Sequence, residues 1–225
     1  WVQWRGGRCR CARRNGVRRL TRHTRICMGQ RGSRHERRPT RIAAWSLPLA
    51  GLTSVLHALH LGPVQESSPA VGFRVESVEG TDGAGREVAV DAWTAGGQYN
   101  AGGVGGLCRI YYGQADGLIV VVDARAEQQA TWHTMEDARV WVERMLREPT
   151  AMGKPVLVYA TFKDQAGAAS AERVEEALGL RELCALRCAP FRVQDTCAAP
   201  GAACSGVLEG YEWLMAAIGE RRALR

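Results

Sequence analysis

The chain has 225 residues, of which 46% are hydrophobic, so it is long and apolar enough for one domain with a sizeable core plus an extension. Its longest apolar runs, 117–122 and 155–160, are only as long as strands, which excludes a transmembrane helix of about 18 or more apolar residues. The net charge of +7 is unevenly distributed: residues 1–41 hold fourteen Arg and one acid, for a net of +13, so residues 42–225 carry −6.

The segment 1–41 is predicted to be an extended arm, because so charged a composition does not bury enough apolar surface to fold alone. An Arg-rich, acid-poor composition is typical of mitochondrial targeting segments, and Arg side chains bind carboxylates and phosphates. The sequence therefore predicts a mitochondrial location and a partner-binding arm. Genome composition is an alternative source of part of the Arg content, since the chain has only two Lys. The first partner-binding residues predicted in the arm are Arg5, Arg8, Arg10, Arg13 and Arg14.

The first half of the predicted domain, 42–225, begins with a short apolar run at Arg41–Trp45, and Leu52–Leu61 follows with helical spacing. Residues 71–78 and 87–93 alternate between apolar and polar side chains, and a turn at 81–85 separates them. This pattern predicts a β-hairpin.

In the second half, Leu118–Val122 and Val156–Ala160 are wholly apolar, as is typical of central strands buried on both faces. The later elements are predicted as helices 131–147, 171–178 and 207–218 and a strand at 191–196. The inward positions expected on the first and last of these helices are Ala138, Val142, Met145, Leu146, Leu208, Tyr211, Leu214 and Met215. The alternation predicts an α/β fold with a mostly parallel six-stranded sheet, helices on both faces and an antiparallel hairpin near one edge.

Residues 41–222 resemble the ADP-ribosylation-factor-like branch of the small GTPases. The resemblance rests on an ordered set of segments: Gly117–Asp123, Val156–Ala160, Leu178-Gly179-Leu180, Thr196-Cys197-Ala198 and Leu208–Leu214. It implies the small-GTPase, P-loop NTPase-like fold and a nucleotide site whose motifs can be compared residue by residue.

The phosphate loop of that family, G-x-x-x-x-G-K-[ST], corresponds to residues 46–53. Gly51 and Thr53 match it, whereas Ser46 stands in place of the first Gly and Leu52 in place of the Lys. The Lys supplies positive charge to the β- and γ-phosphates, which Leu does not. Loss of a charge-assisted hydrogen bond costs roughly 1.5–3 kcal/mol, so the sequence predicts weakened phosphate binding.

The Mg²⁺-associated positions differ as well. In the first switch, Ala70 replaces the Thr that closes over the metal, and in the second switch Thr94 replaces the Asp. Gln98, the water-orienting position, is present, but without γ-phosphate and metal it has nothing to orient, and a surface amide on a Gly-rich turn is the alternative interpretation.

The guanine-reading motif Asn-Lys-x-Asp corresponds to residues 161–164, where Thr161 replaces the Asn and Asp164 is kept. Asp164 is also interpretable as an ordinary loop acid. Cys197 and Ala198 match the last motif, which packing alone can preserve. The cysteine spacing fits no strong zinc template. Together these departures predict a pseudo-GTPase with no catalytic residues, no cofactor and no metal.

Three aromatic residues match positions at which effectors contact the family: Phe73, Trp93 and Tyr111. Aromatic side chains are favoured anchors at interfaces, which predicts a partner surface. Packing within the sheet is the alternative explanation.

The favoured function is a non-catalytic structural subunit of a large mitochondrial protein assembly, which binds its partners through the arm and the former switch surface. One alternative is an RNA-contacting subunit of a mitochondrial ribosome, in which Trp1 and Trp4 stack on bases beside Arg side chains. Another is an atypical GTP-binding trafficking switch. An autonomous membrane anchor is not expected, because Val2 stands at the family's lipidation position and the arm has no periodic apolar face.

Overall fold

A computed structural model describes residues 38–67, 73–95, 112–125, 133–198 and 205–224 of the chain. The strands are β1 (Thr40–Ser46), β2 (Gln65–Ser67), β3 (Phe73–Thr81), β4 (Glu87–Ala95), β5 (Gly117–Asp123), β6 (Val156–Thr161) and β7 (Phe191–Asp195). The helices are α1 (Leu52–Ala58), α2 (Met135–Arg147), α3 (Ala171–Leu178), α4 (Leu180–Ala185) and α5 (Val207–Ala223), with a 3₁₀ turn at Pro149–Ala151.

The strands form one sheet in the order β2-β3-β4-β1-β5-β6-β7. Strands β4, β1, β5, β6 and β7 are parallel to one another, and β2 and β3 add an antiparallel edge. The predicted mostly parallel sheet with a hairpin near one edge is therefore confirmed. The three-residue strand β2 adds a seventh strand to the six that the sequence predicts.

Helices cover both faces of the sheet. On one face, side chains of α2, α3 and α4 share a core with Trp45 and Trp93. On the other face, α1 and α5 share a core with Tyr159 and neighbouring strand residues. Residues 117–122 of β5 and all of β6 are buried and lie between the two cores, in agreement with the apolar runs in their sequences.

The inward positions of α2 are confirmed, and those of α5 are confirmed except one. Leu208 is 51% exposed, because Val207 takes the inward position in the first turn of α5 and Leu208 is rotated by about 100° from it. One turn later Gly210 faces inward, and a Cβ there would lie 2.7 Å from Tyr159 Cε1. A helix that approaches the sheet this closely fixes which residues face it.

The helix ends follow local chemistry. Thr134 caps α2 in a reciprocal capping box with Asp137, so the described helix begins at Met135. Ser170 caps α3, and Gly179, with φ 62°, ends it where the sequence predicts. Helix α4, which starts directly after Gly179, was not predicted.

Strand β1 begins at Thr40, so the last two residues assigned to the arm belong to the first strand. Residues 38–225 form one compact unit. Residues 1–37, with Arg5, Arg8, Arg10, Arg13 and Arg14, lie outside the described residues, and the extended, partner-binding arm stays a prediction. Within the described part of the chain, the helices are too short or too polar to cross a membrane.

Candidate functional site at the carboxyl ends of the parallel strands

The loop between β1 and α1, residues 47–51, lies at the carboxyl end of the sheet, where open α/β folds bind ligands. Gly51 has φ 91°, a left-handed conformation that favours glycine and lets the chain turn into α1. Leu49 also has positive φ, and its side chain is 75% exposed. The glycine retained at position 51 thus has a direct backbone reason.

Leu52, at the position of the family's phosphate-binding Lys, points into the core. Its side chain is 3% exposed and belongs to the apolar cluster that includes Val55 and Leu56 of α1. The first residue of α1 therefore contributes to packing and offers no charge to the loop.

The positions associated with the metal in the family carry hydroxyls that bond within the protein. Ser46 Oγ and Thr94 Oγ1 are 3.4 Å apart. The Thr53 hydroxyl donates to Glu76, with both carboxylate oxygens at 2.9 Å. Ala70 and Gln98 lie outside the described residues.

Glu76 is a site residue that sequence analysis missed. It lies on β3 and is 1% exposed. Only the register of the β3–β4 hairpin, in which Glu76 pairs with Ala92, places it on the same face of the sheet as Thr94 and α1. A strand-length alternation of polar and apolar residues marks Glu76 as a surface position, which is why the sequence did not reveal it.

Thr161, at the base-reading position, joins strands β5 and β6 to the β1–α1 loop. Its hydroxyl is 2.8 Å from the Ala50 carbonyl and 2.9 Å from the Val122 carbonyl, and the side chain is 3% exposed. The residues that follow Thr161 are less buried. Phe162 has a left-handed backbone conformation with φ 62°, and the Asp164 side chain is exposed.

Arg125, which follows β5, was also missed by the sequence analysis. Its guanidinium lies 3.7 Å from the centroid of the Phe162 ring. Nε and Nη2 donate to the two oxygens of Asp123 at 2.9 and 2.7 Å, and Nη1 donates to Gln165 Oε1 at 2.9 Å. The hydrogen bonds with Asp123 are the main cause that raises the pKa of Arg125.

The last motif packs against the same end of the sheet. Cys197 is buried and exchanges backbone hydrogen bonds of 3.1 and 3.0 Å with Ser205. Ala198 is half-buried against the α1–α5 core. Both residues therefore have structural contacts that account for their presence.

Of the three aromatic residues predicted to form a partner surface, Trp93 lies in the core. Its side chain is 1% exposed, and its ring centroid is 5.4 Å from that of Tyr112. Strand β4 is covered on both faces, so the Trp93 position points into the α2 side of the core. The Phe73 side chain and Tyr111 lie outside the described residues.

A small cavity of about 100 Å³ borders this site. It lies between the β1–α1 loop, the end of β5 and the start of α2, and its lining includes Leu47, Pro48, Val122, Asp123, Arg125 and Ala138. Among the described residues, His, Cys, Asp and Glu side chains do not gather in groups of three or more that would hold a metal.

Comparison with known proteins agrees with the resemblance. The sequence profile of the ADP-ribosylation factor family matches residues 28–218, which begins inside the segment predicted as the arm. One similar solved structure is the Arl6 BBS3 small GTPase from Trypanosoma brucei with a bound nucleotide analogue, GppNp. It shares 23% sequence identity at a TM-score of 0.60, over 81% of this chain and 98% of that chain. At this identity the likeness shows the fold alone.

Proposed function

The chain belongs to the ADP-ribosylation factor family of small GTPases, and on this premise we propose that it is a member that works without nucleotide, as a structural subunit of a protein assembly. The observation that carries the proposal is the burial of Leu52. A lysine at this position reaches the phosphates of a nucleotide. Here the side chain packs into the α1–α5 core at 3% exposure.

The residues around Leu52 also fit GTP and Mg²⁺ poorly. At position 94, where the family has an Asp carboxylate, this chain has a Thr. Its hydroxyl lies 3.4 Å from the Ser46 hydroxyl. Pro48 has no N–H to offer a phosphate. Carboxylate and phosphate oxygens hold Mg²⁺ in such sites. The loss of one acid and of the Lys therefore weakens the binding of Mg²⁺ and of GTP together.

Isothermal titration of the full-length protein with GTP and Mg²⁺ tests the proposal. We expect that any binding of GTP is weaker than a Kd of about 1 μM. The variant Leu52→Lys restores the charge without the acid at position 94, and we expect no GTP hydrolysis from it. Submicromolar binding by the unmodified protein would contradict the proposal.

A second candidate, an atypical GTP-binding switch, is favoured by the contact between Thr53 and Glu76. A buried carboxylate beside a phosphate-loop hydroxyl is a suitable pair of oxygen ligands for Mg²⁺. In that case Glu76 would supply the acid missing at position 94. GTP binding that depends on Mg²⁺ and is lost in Glu76→Gln would support this candidate over the first.

The proposed partners follow from charge. A segment with fourteen Arg and one acid gives dense positive charge suited to acidic protein surfaces or to phosphate. We expect that deletion of residues 1–37 releases the protein from its native particle and leaves the domain folded. Co-sedimentation with the particle measures the first outcome, and circular dichroism measures the second. The deletion stops before Arg38 because that residue pairs with Asp116.

The composition of the arm also supports a mitochondrial location, which an import assay with isolated mitochondria tests. Ribonuclease treatment of the particle before sedimentation separates two partner classes. Release of the full-length protein by ribonuclease would favour the RNA-contacting alternative. Retention would favour contacts with acidic protein.

A further inference from the structure

We propose that the amino-terminal end of the parallel strands carries a docking surface for an acidic protein partner. The inference rests on the proposed function, in which the chain is a structural subunit of an assembly. It adds to the arm a second contact, on the folded domain itself. We call this surface the basic apolar patch, and its members are Arg38, Met152, Arg221, Arg222 and Leu224.

The first observation concerns the charge in front of β1 and β5. The Asp116 carboxylate, which is 6% exposed, accepts from Arg38 at 2.7 Å and from Arg222 at 2.8 Å. The two arginine side chains are 61% and 38% exposed, so the acid is covered while the cations reach solvent. Within the described residues, these bonds use two of the five N–H groups of Arg38 and one of those of Arg222. Both guanidinium groups therefore keep donors for the carboxylates of a partner.

The second observation is that two exposed apolar residues neighbour Arg221 in the last turn of α5. Met152, in the turn before β6, is 56% exposed, and Leu224 is 89% exposed. Arg221 Nη2 donates to the Met152 carbonyl at 3.4 Å, which places the end of the helix beside this turn. Leu224 follows Arg221 by three residues, and its amide still donates to the Glu220 carbonyl, so both side chains project from one side of the helix. Single exposed apolar residues are common on protein surfaces, but here two of them neighbour one guanidinium.

The charged and the apolar parts of the patch are adjacent. Arg221 and Arg222 are consecutive in α5, and they contact the turn before β6 and the residue before β5, respectively. Because β5 and β6 are neighbouring parallel strands, their amino-terminal ends lie side by side. The basic apolar patch is therefore one surface, formed where the last turn of α5 crosses these strand ends.

The combination of forked cations with apolar side chains points to protein as the partner. Arg matches carboxylates in both charge and geometry, and Met and Arg are enriched where proteins bind one another. RNA would engage the arginines through phosphate, but it is otherwise bound through its 2′-hydroxyl groups and by stacking of its bases. Met152 and Leu224 would contribute little to such a contact.

The patch also adjoins the start of the arm along the chain. Residues 1–37 carry twelve Arg and one acid, and they join the described domain at Arg38. A partner that binds the arm through its own acidic groups therefore meets the patch at the point where the arm begins. The charge of this partner is the complement of both segments.

Fluorescence anisotropy of the full-length protein with two labelled peptides, without nucleotide, tests the docking surface. One peptide alternates Glu and Leu and the other alternates Glu and Ser, so they differ in apolar side chains and not in charge. We expect the protein to bind the Glu-Leu peptide about three- to tenfold more tightly than the Glu-Ser peptide. The double variant Met152→Ser with Leu224→Ser should lose this preference. A preference that persists in the double variant would overturn the inference.

Leu208→Ser is the matched control. Leu208 is 51% exposed, close to the value for Met152, and it lies at the other end of α5. We expect this variant to keep the preference for the Glu-Leu peptide, and circular dichroism checks that all variants are folded. If Leu208→Ser reduces the preference as much as Met152→Ser alone does, the basic apolar patch is not the docking surface.

The role of charge is tested with two changes of opposite sign. Glu220 is exposed beside Arg221 in the last turn of α5. At low salt, Glu220→Gln should tighten binding of the Glu-Leu peptide by about two- to fourfold, and Arg221→Gln should weaken it by a similar factor. Shifts in the same direction would contradict electrostatic attraction at the patch.

Poly-uridylate RNA is the probe for the other class of partner. We expect the Met152→Ser, Leu224→Ser double variant to bind it as the unmodified protein does. A loss of RNA binding as large as the loss of Glu-Leu peptide binding would overturn the assignment to a protein partner. Submicromolar GTP binding would contradict the proposed function, whereas equal peptide binding by the patch variants and the unmodified protein would contradict the docking surface alone.

Discussion

The two ends of the parallel strands hold their buried polar groups in different ways. At the amino-terminal end, Asp116 accepts charged hydrogen bonds from Arg38 at 2.7 Å and Arg222 at 2.8 Å, and a backbone bond from Arg41 at 3.1 Å. At the carboxyl-terminal end, the Thr161 hydroxyl bonds to backbone carbonyls. The buried carboxylate of Asp116 joins distant chain segments through ion pairs at one end, whereas the buried Thr161 hydroxyl joins them through backbone carbonyls at the other.

The difference shows that a buried, multiply paired charge lies at the amino-terminal end of the parallel strands. The carboxyl end is the usual ligand side of an open α/β sheet, and charges there serve ligands. With Leu52 and Thr94 at that end, the hydroxyls of Ser46, Thr53 and Thr94 find partners within the chain. At the opposite end, the ion pairs of Asp116 hold chain segments together.

The largest expected effect comes from Leu52→Ala. Leu52 is 3% exposed, so truncation leaves a cavity in the α1–α5 core and should lower the free energy of unfolding by about 2–5 kcal/mol. The matched control is Leu49→Ala in the same loop, where the side chain is 75% exposed and the change should stay within about 0.5 kcal/mol. Urea denaturation measures both. Equal effects would mean that position 52 does not belong to the core.

Asp116→Ala tests the opposite end. The Asp116 side chain is 6% exposed, and its removal deprives a backbone N–H and two guanidinium groups of their acceptor. We expect a loss of about 2–3 kcal/mol in the free energy of unfolding. Glu143→Ala, which breaks an exposed pair with Arg147, should cost less than about 0.5 kcal/mol. A cost for Asp116→Ala as small as that of the control would refute the anchoring role.

Thr161→Val probes the hydroxyl network at the carboxyl end. The substitution keeps the shape and removes a donor that lies 2.8 and 2.9 Å from two buried carbonyls, so we expect a loss of about 1–2 kcal/mol. Thr94→Val removes a bond of 3.4 Å and should cost less, because the contact is near the limit of hydrogen-bond geometry. Thermal unfolding of the two variants ranks the contacts. The reverse order would contradict the geometry.

The sequence predicted the sheet because residues 118–122 and 156–160 are wholly apolar and the hairpin strands alternate. It also located the end of α3, since Gly179 stands where a left-handed cap is needed. It missed α4, whose six residues follow that glycine without a break, and β2, whose three polar residues carry no period. Short elements of this kind are selected by tertiary contacts and not by local pattern.

The site was only partly predictable for a related reason. The positions of Leu52, Thr94 and Thr161 follow from family motifs, but their contacts do not. The Thr53–Glu76 hydrogen bond and the Arg125–Phe162 stack join residues distant in the chain, and only the strand order brings them together. Trp93 was assigned to a surface because the burial of both faces of β4 is not visible in its sequence.

The smallest expected effect concerns the hairpin turn at the amino-terminal end, where the Tyr211 hydroxyl donates to Asp82 Oδ2 at 3.1 Å. Burial alone would raise the pKa of Asp82, but hydrogen bonds from Arg86, Tyr211 and Ala84 outweigh it and hold the pKa below its ordinary value. A carboxyl group with a lowered pKa in the folded state stabilises the protein above its unfolded pKa of about 4, and this stabilisation is lost as the pH falls through the folded value.

Tyr211→Phe should therefore lower the free energy of unfolding by about 1 kcal/mol at neutral pH. The cost should shrink as the pH falls below about 4 towards the lowered folded pKa, through which folded Asp82 takes up a proton. Tyr159→Phe is the matched control, because the Tyr159 hydroxyl donates to the Val207 carbonyl at 2.7 Å and a carbonyl does not titrate in this range. Its cost should stay constant with pH. Denaturation of both variants between pH 3 and 7 measures the two profiles. A cost for Tyr211→Phe that does not change with pH would show that Asp82 is not the group through which this hydroxyl stabilises the hairpin.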